Sequence, residues 1–504
     1  MNRRPKVCFF LQRHYAHVGH ALARWLKEKY GVQEFCAYVG LRRIYAFLRR
    51  QQDITYTGLV LDEDVHNRYR NEPLDPAYLE WLEKEFGIPN LWPYLALDRE
   101  IMSHQAKREY PFDTPRYTHE EMLRILQVTA KAVISFLERE RPDAVVFSTV
   151  GNVPGYLLYE MAKKRGIKVL YILTPSLGDR FVVSETYDRF TDVEALFSQR
   201  HTAKTRDRFS AEAKRTLEAF RRSPAPYDPD RTPSRQPVCY RRQLSFLQPK
   251  NWWRSLQWFV TLCYRYACGG IRDDYTTVGP FDYLRDHIAR KMRNLIGVSD
   301  LYSAFEPERP YGYFALGYEP EIEMLLLAPF ATDQIELARR AALSLPVGWI
   351  LYVKEHPEMA QYRPRRYYKQ LKKIPNVRLL PPSVNGFDCI RHARLIFTVT
   401  GTSAWEGILL KKPAIVFGNK FYNALSMVGV CKNREELPAL VKKQLEAFRY
   451  DEEELVQFIA AILEDSASLP FIELWEREFD ETKRKAKLEP LADLLAKKLG
   501  LSSS

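Results

Sequence analysis

Two stretches of this chain gather residue types suited to holding a phosphate. The first, ILYVKEHPEM (350–359), reads as a strand ending in Lys354, Glu355, His356 and Pro357. The second, LIFTVTGTSAWEGILLKKPAIVFG (395–418), reads as a strand ending at Thr400, a tight turn through Gly401, Thr402 and Ser403, and a helix carrying Glu406. Free N–H groups and the positive dipole end of such a helix favour an anion. The hydroxyls of Thr400, Thr402 and Ser403 add donors. His356 adds another, and a cation if phosphate raises its pKa, with Lys354 beside it. Each piece alone has an ordinary reading: a turn at His-Pro, a helix cap at TGTS, an exposed Glu406. One βα unit apart in a doubly wound sheet, they describe a phosphate cradle.

A second group lies near the start. The loop QRHYAHVGHA (12–21) holds Arg13, His14, His17, Gly19 and His20. Imidazoles titrate near neutrality, so His14, His17 and His20 are candidate bases. Their spacing also invites a metal, but no acidic or cysteine ligand accompanies them, and no metal site is assigned. Capping of the following helix is an equal alternative for any one of them. The segment TPSLGDRFVVSE (174–185) adds Asp179 as a candidate catalytic carboxylate, and Arg180, which with Arg13 would suit an anionic reactant.

The elements that must position these groups follow from apolar patterning. Val7–Leu11 is a short apolar run, then a polar loop leads from Gln12 to Gly19. Val18, Ala21, Leu22, Trp25 and Leu26 mark one helical face, ended by Gly31. Strands are expected at 35–39, 144–148, 168–173, 313–316, 349–353, 377–380, 395–399 and 414–417. Helices alternate with them, among them 153–165, 333–344, 364–373 and 403–411. That alternation predicts an α/β fold of two doubly wound parallel sheets. The expected division is an N-terminal Rossmann-like acceptor domain over 1–200 and an insert over 201–308. A nucleotide-sugar domain over 309–432 and C-terminal helices over 433–504 complete it.

Composition bounds the class. The 504 residues are 46% hydrophobic and 28% charged, enough apolar matter for large cores, which excludes wholesale disorder. No run approaches the ~18–20 apolar residues of a membrane span, and Val7–Leu11 is shorter than a signal-peptide core. Seven cysteines lie far apart without a CxxC pair, so neither a disulfide framework nor a zinc site is indicated. A cytoplasmic protein is expected. Lys and Arg exceed Asp and Glu by 13, and residues 201–250 hold 12 of the former against 5 of the latter. Within them, 223–237 has five prolines and reads as a linker. It is followed by NWWRSLQWFVTLCYRYAC (251–268), aromatics with arginines between them.

The runs KEHP and TVTGTSAWEGILLKKPAIVFGNKFY, with YFALGYEPEIEMLLLAPFATDQIELARRAALSLPVGWILYVKEHP (313–357), resemble the C-terminal half of bacterial capsule polysaccharide biosynthesis glycosyltransferases. These are GT-B enzymes that include Kdo transferases. The pairing of an HP motif with a Ser/Thr motif is also similar to bacterial sialyltransferases. The resemblance covers about 311–425 closely and 6–190 in outline; TGTS stands where many members have paired serines. It implies a metal-independent transferase without a cofactor. His356, Thr400, Thr402 and Ser403 would hold the phosphate leaving group, Glu406 would accept from ribose, and Glu319 and Glu321 would face the cleft. The acceptor would bind to the first domain, with a base from its loops. The run GLVLDEDV (58–65) resembles instead the DxD metal site of GT-A enzymes, but that reading leaves 311–425 without a purpose. A solvated acidic loop is the expectation there.

The expected function is therefore transfer of an acidic sugar, such as Kdo or a sialic acid, from a CMP-sugar donor to a glycan or glycolipid acceptor in bacterial surface polysaccharide synthesis. The alternatives are a CDP-glycerol-type glycerophosphotransferase, a UDP-sugar transferase or epimerase, and a non-catalytic scaffold docking on anionic lipid. The aromatic helix at 251–268 would either contact an anionic membrane surface or be buried between domains; no nucleic-acid module accompanies the charge.

Overall fold

The computed structural model describes residues 4–103, 115–148, 150–227, 244, 248–269, 275–360 and 362–502. Residues 228–237 of the expected linker lie outside the described residues.

Strands β1 (Val7–Leu11), β2 (Phe35–Val39), β3 (Tyr56–Leu61), β4 (Ala144–Phe147), β5 (Lys168–Leu173) and β6 (Arg180–Ser184) form the first sheet, with β13 (Ser466–Ser468) at its edge. Its order is β13-β6-β5-β4-β1-β2-β3. β1 to β5 pair in parallel, β6 pairs antiparallel with β5, and β13 pairs antiparallel with β6. β1 is apolar throughout because both of its faces are covered. Val7, Phe9 and Leu11 pack with the Tyr15–Tyr30 helix, while Cys8 and Phe10 pack with the His119–Glu140 helix on the other side. The first helix ends at Gly31, whose φ of 68° lies in the left-handed region that glycine enters without strain.

The second sheet holds β7 (Tyr311–Ala315), β8 (Ile350–Lys354), β9 (Val377–Leu380), β10 (Leu395–Thr398), β11 (Ala414–Val416) and β12 (Val428–Val430). Its order is β12-β11-β10-β7-β8-β9, parallel throughout. In both sheets the order reverses once, between β1 and β4 and between β7 and β10. Ligands of such sheets bind beyond the strands' carboxyl ends at that reversal. Here the two reversals face one cleft. Two doubly wound α/β domains across a cleft constitute a GT-B-like fold.

The last seventy residues are mostly helical and pack back on the earlier part of the chain. The Glu452–Glu464 helix packs against the Thr191–Ala203 and Arg208–Arg222 helices. β13 then joins the first sheet, and the Glu489–Lys498 helix lies on Tyr15–Tyr30, where Lys29 bonds Glu489 and Asp493, each at 2.8 Å. The aromatic segment forms the Pro249–Cys268 helix, which has no buried residue. It is not a buried joint between domains.

Candidate functional site

The cleft between the sheets has a volume of about 1450 Å³, above the roughly 300–1,000 Å³ of single small-molecule pockets. It has room for two reactants. Its second-domain wall is built by the loops after β7, β8, β9 and β10 (315–318, 354–358, 382–387 and 398–403). The first-domain wall comes from the ends of β1 and β4, with Gln12, Arg13, Gly151 and Asn152.

β10 delivers the chain to Thr400 and Gly401, and the Thr402–Leu409 helix starts at once, with no side chain capping it. Gly401 is pinned on both sides: its N–H donates to Thr398 Oγ1 at 3.0 Å, and its carbonyl accepts from the Tyr422 hydroxyl at 2.7 Å. A Cβ at Gly401 would stand 2.6 Å from Thr398 Oγ1, so the turn takes only glycine without a shift. Ser403 is 7% exposed, and its Oγ has no hydrogen-bond partner among the described residues. An unpaired buried hydroxyl is unfavourable by about 1–3 kcal/mol unless something else meets it. It lines the cleft at an uncapped helix N-terminus, where an anion would meet it.

Thr402 turns its hydroxyl onto Glu406 Oε1 at 3.1 Å. Glu406 is half-buried one turn along the same helix and lines the cleft. Burial pushes its carboxyl up to about 7, against the opposing pull of Thr402 and Lys354. Lys354 ends β8, buried at 7% exposure, and burial lowers its pKa while Cys389, Glu355 and Glu406 draw it back up. His356 caps the short turn Pro357–Met359: its Nδ1 accepts from the Glu358 N–H at 3.3 Å, leaving Nε2 as the ring's donor nitrogen.

Behind these groups lies a buried ion network that the sequence pattern did not reveal. Arg363 donates to Glu319 Oε2 from Nε and Nη2 at 3.0 and 2.8 Å, to the Gly317 carbonyl at 2.6 Å, and to Glu355. The Tyr368 hydroxyl donates to Glu355 Oε2 at 2.6 Å, and Glu355 Oε1 accepts the His356 N–H at 2.6 Å. Glu319 therefore does not face the cleft; it is locked beneath the β7 loop. Burial raises its pKa, opposed by Arg363. Glu321, two residues on, does line the cleft.

The structure thus brings Lys354, His356, Pro357, Thr400, Gly401, Thr402, Ser403, Glu406, Glu321 and Arg13 to one cavity. Arg13 reaches across to Glu100 Oε1 at 3.3 Å. The other first-domain candidates lie elsewhere, because helix begins at Tyr15, within the expected loop. His17 and His20 are thereby carried behind the cleft wall. His20 is buried against Tyr56, 3.1 Å from its hydroxyl, and its pKa is lowered by burial. His17 stands 3.6 Å from Glu481, its pKa also lowered mainly by burial. Gly19 packs under Leu11, which a Cβ would meet at 2.4 Å. His14 is the exposed N-cap residue of the helix and does not line the cavity. Asp179 and Arg180 sit against the edge strand β13: the Asp179 carbonyl accepts from the Leu469 N–H at 2.9 Å, and Arg180 pairs with Glu212 at 2.9 Å.

Tyr171 on β5 brings to the cleft's first-domain wall a second buried hydroxyl with no hydrogen-bond partner among the described residues. In the sequence it reads as one more core residue of KVLYIL. The acidic run 62–64 is no solvated loop. It opens the Asp62–Asn67 helix, where Asp62 accepts from the Tyr38 and Tyr275 hydroxyls at 3.1 and 2.6 Å, and Arg42 pairs with Glu63 and Asp64. Among the described residues, no group of three or more His, Cys, Asp or Glu is arranged to hold a metal.

Residues 331–457 match the family model of the capsule polysaccharide biosynthesis protein. That stretch contains Lys354, His356, the 400–403 turn and Glu406. The chain is also 24% identical over 181 residues to the capsule polysaccharide modification protein LipA of Neisseria meningitidis, an alignment spanning 36% of this chain and 25% of that protein. This chain therefore matches a quarter of the length of that relative. Among solved structures, the Thermosulfurimonas dismutans KpsC beta Kdo 2,7 transferase is 11% identical, covering 72% of this chain and 89% of that one, with a TM-score of 0.35. The beta Kdo 2,4 transferase of the same organism is 15% identical, covering 66% and 83%, with a TM-score of 0.37. Among the described residues no helix is long and apolar enough to cross a membrane.

Proposed function

We propose that this chain is a metal-independent glycosyltransferase of bacterial surface polysaccharide synthesis. It transfers an acidic sugar such as Kdo or a sialic acid from a CMP-sugar to a glycan or glycolipid acceptor. The observation that carries the reading is the buried Ser403 Oγ, without a hydrogen-bond partner among the described residues, at an uncapped helix N-terminus that lines the two-domain cleft with Lys354 and His356. The match of residues 331–457 to a capsule polysaccharide family supports it, and the choice of CMP-sugar follows the HP and Ser/Thr motifs.

In such a transfer, an acceptor oxygen bonds to the anomeric carbon as the bond from that carbon to phosphate oxygen breaks. The acceptor's proton passes to a base, and CMP departs with a growing negative charge. Groups that meet this charge act most strongly in the transition state. The N–H groups of the Thr402–Leu409 helix, Ser403 Oγ, Lys354 Nζ and His356 Nε2 would do so. Arg363 acts indirectly, holding the β7 and β8 loops in one arrangement through Glu319 and Glu355.

The test is isothermal titration with CMP, CDP, UDP and GDP on the wild type and on His356→Ala. CMP preference that is lost in the variant supports the reading. CDP or UDP preference transfers it to a glycerophosphotransferase or UDP-sugar enzyme, and no binding at all defeats it.

A further inference from the structure

The Pro249–Cys268 and Pro280–Ile296 helices present apolar surface that the described fold leaves uncovered. On the first, Trp252, Leu256, Val260 and Tyr264 recur every fourth residue, a single helical stripe, and are 61, 38, 58 and 68% exposed; Trp253 adjoins them at 57%. On the second, Phe281, Ile288, Met292 and Ile296 are 76, 53, 51 and 62% exposed. The helices hold each other through ring contacts: Trp258 lies 5.5 Å from Tyr283, and Phe259 lies 5.6 Å from Phe281, which keeps most of its surface exposed. Isolated exposed apolar side chains are ordinary, but contiguous faces of this kind mark an interaction surface.

Charge selects the occupant. The two helices carry seven Lys or Arg (Lys250, Arg254, Arg265, Arg285, Arg290, Lys291, Arg293) against two acids, Asp282 and Asp286. Both acids are answered within their own helix, by Arg285 at 3.5 Å and Arg290 at 2.9 Å. A second copy would bring one cationic face against another. A nucleic acid would use the charge and the rings but leave Leu256, Val260, Ile288, Met292 and Ile296 exposed. An anionic bilayer takes both: aliphatic and aromatic side chains enter the acyl boundary while Lys and Arg reach phosphate headgroups.

We propose that this helical pair docks the protein on the surface of an anionic lipid bilayer, lying in the interface without crossing it. Its placement is fixed by Tyr275, five residues before the second helix starts at Pro280. The Tyr275 hydroxyl donates to Asp62 at 2.6 Å, its ring stacks on His66 at 3.7 Å, and its carbonyl accepts from Arg116 at 2.9 Å. Tyr275 and Thr276 themselves line the cleft. The docking face is thus tied to the cleft's first-domain wall. On the transferase reading this brings the cleft to a lipid-borne acceptor, though the docking stands without that reading.

The test is co-sedimentation of the full chain with vesicles of equal parts phosphatidylcholine and phosphatidylglycerol, and with pure phosphatidylcholine. Binding to the mixed vesicles alone, weakened by salt, is expected. Arg254→Glu with Arg265→Glu weakens it at least about fivefold per charge, and Trp252→Ala with Trp253→Ala weakens it comparably. Circular dichroism and thermal unfolding of both variants match the wild type, since all four side chains are exposed. Equal binding to both vesicles, binding to neither, or undiminished binding by the tryptophan variant overturns the proposal. So does a dimer in sedimentation velocity that the tryptophan variant dissociates, or preferential capture by a single-stranded oligonucleotide at the same salt.

Discussion

Arg363 grips Glu319 through two hydrogen bonds to one carboxylate oxygen, at 3.0 and 2.8 Å, with both side chains essentially removed from water. The pair joins the loop after β7 to the segment after β8, because Arg363 also holds Glu355. Removing one partner of a buried pair leaves an uncompensated charge, unfavourable by about 3–5 kcal/mol. Arg363→Met should therefore lower the unfolding free energy by about that amount, read by urea denaturation. Arg363→Lys should not restore it, since an ammonium cannot span both carboxylates as the guanidinium fork does. Adding Glu319→Gln to Arg363→Met should recover part of the loss by deleting one stranded carboxylate.

Ser403 should behave in the opposite way. Its hydroxyl is buried and makes no hydrogen bond within the described fold, so Ser403→Ala removes a polar group that contributes nothing to folding. The variant should unfold at the same or a slightly higher temperature. Nucleotide affinity should fall about 10–100-fold, the worth of a hydrogen bond to a charged group. A fall in melting temperature with unchanged affinity would show that Ser403 serves the fold and not a ligand.

The parallel second sheet was legible because each buried strand is a short apolar run and the residues after it are polar. Lys354, His356 and the 400–403 turn were therefore placed by local sequence alone. The first-domain site was not. The helix at Tyr15 starts without a side-chain cap, so no Ser, Thr or Asp marks where the loop ends, and His17 and His20 read as loop residues although both lie on the helix. β6 was hidden because one of its partners, β13, comes from residues 466–468. Glu319 read as a cleft residue because its true partner, Arg363, is 44 positions away. Pairings of this kind depend on tertiary geometry, which neither periodicity nor propensity encodes.

The cleft walls approach at Gly151 and Ile322. A Cβ on Gly151 would lie 2.6 Å from Ile322 Cγ2 and 2.7 Å from its Cδ1. The glycine follows β4 in the first domain, and Ile322 opens the Ile322–Leu327 helix in the second. Gly151→Val should force the walls apart, seen as an increased radius of gyration in small-angle scattering, with a loss of about 1–3 kcal/mol typical of overpacking. Ile322→Ala in the same chain should reverse both effects. Persistence of the larger radius in the double variant would place the strain elsewhere.

Glu406 links stability and binding to pH. Its folded pKa is about 7, above the ~4.3 of an unfolded glutamate, so the folded chain binds this proton more tightly than the unfolded one. The sign follows: the unfolding free energy is highest below the unfolded pKa, falls as pH rises towards 7, and levels off above it. The full change is on the order of 3 kcal/mol. Glu406→Gln should flatten this segment of the pH–stability curve and leave the variant the more stable of the two on the alkaline side. The same proton bears on an anionic ligand, because the neutral carboxyl does not repel phosphate. CMP affinity measured by titration calorimetry should be greater at about pH 6 than at about pH 8, with the difference reduced in Glu406→Gln. An unchanged pH slope in the variant would assign the titration to a group other than Glu406.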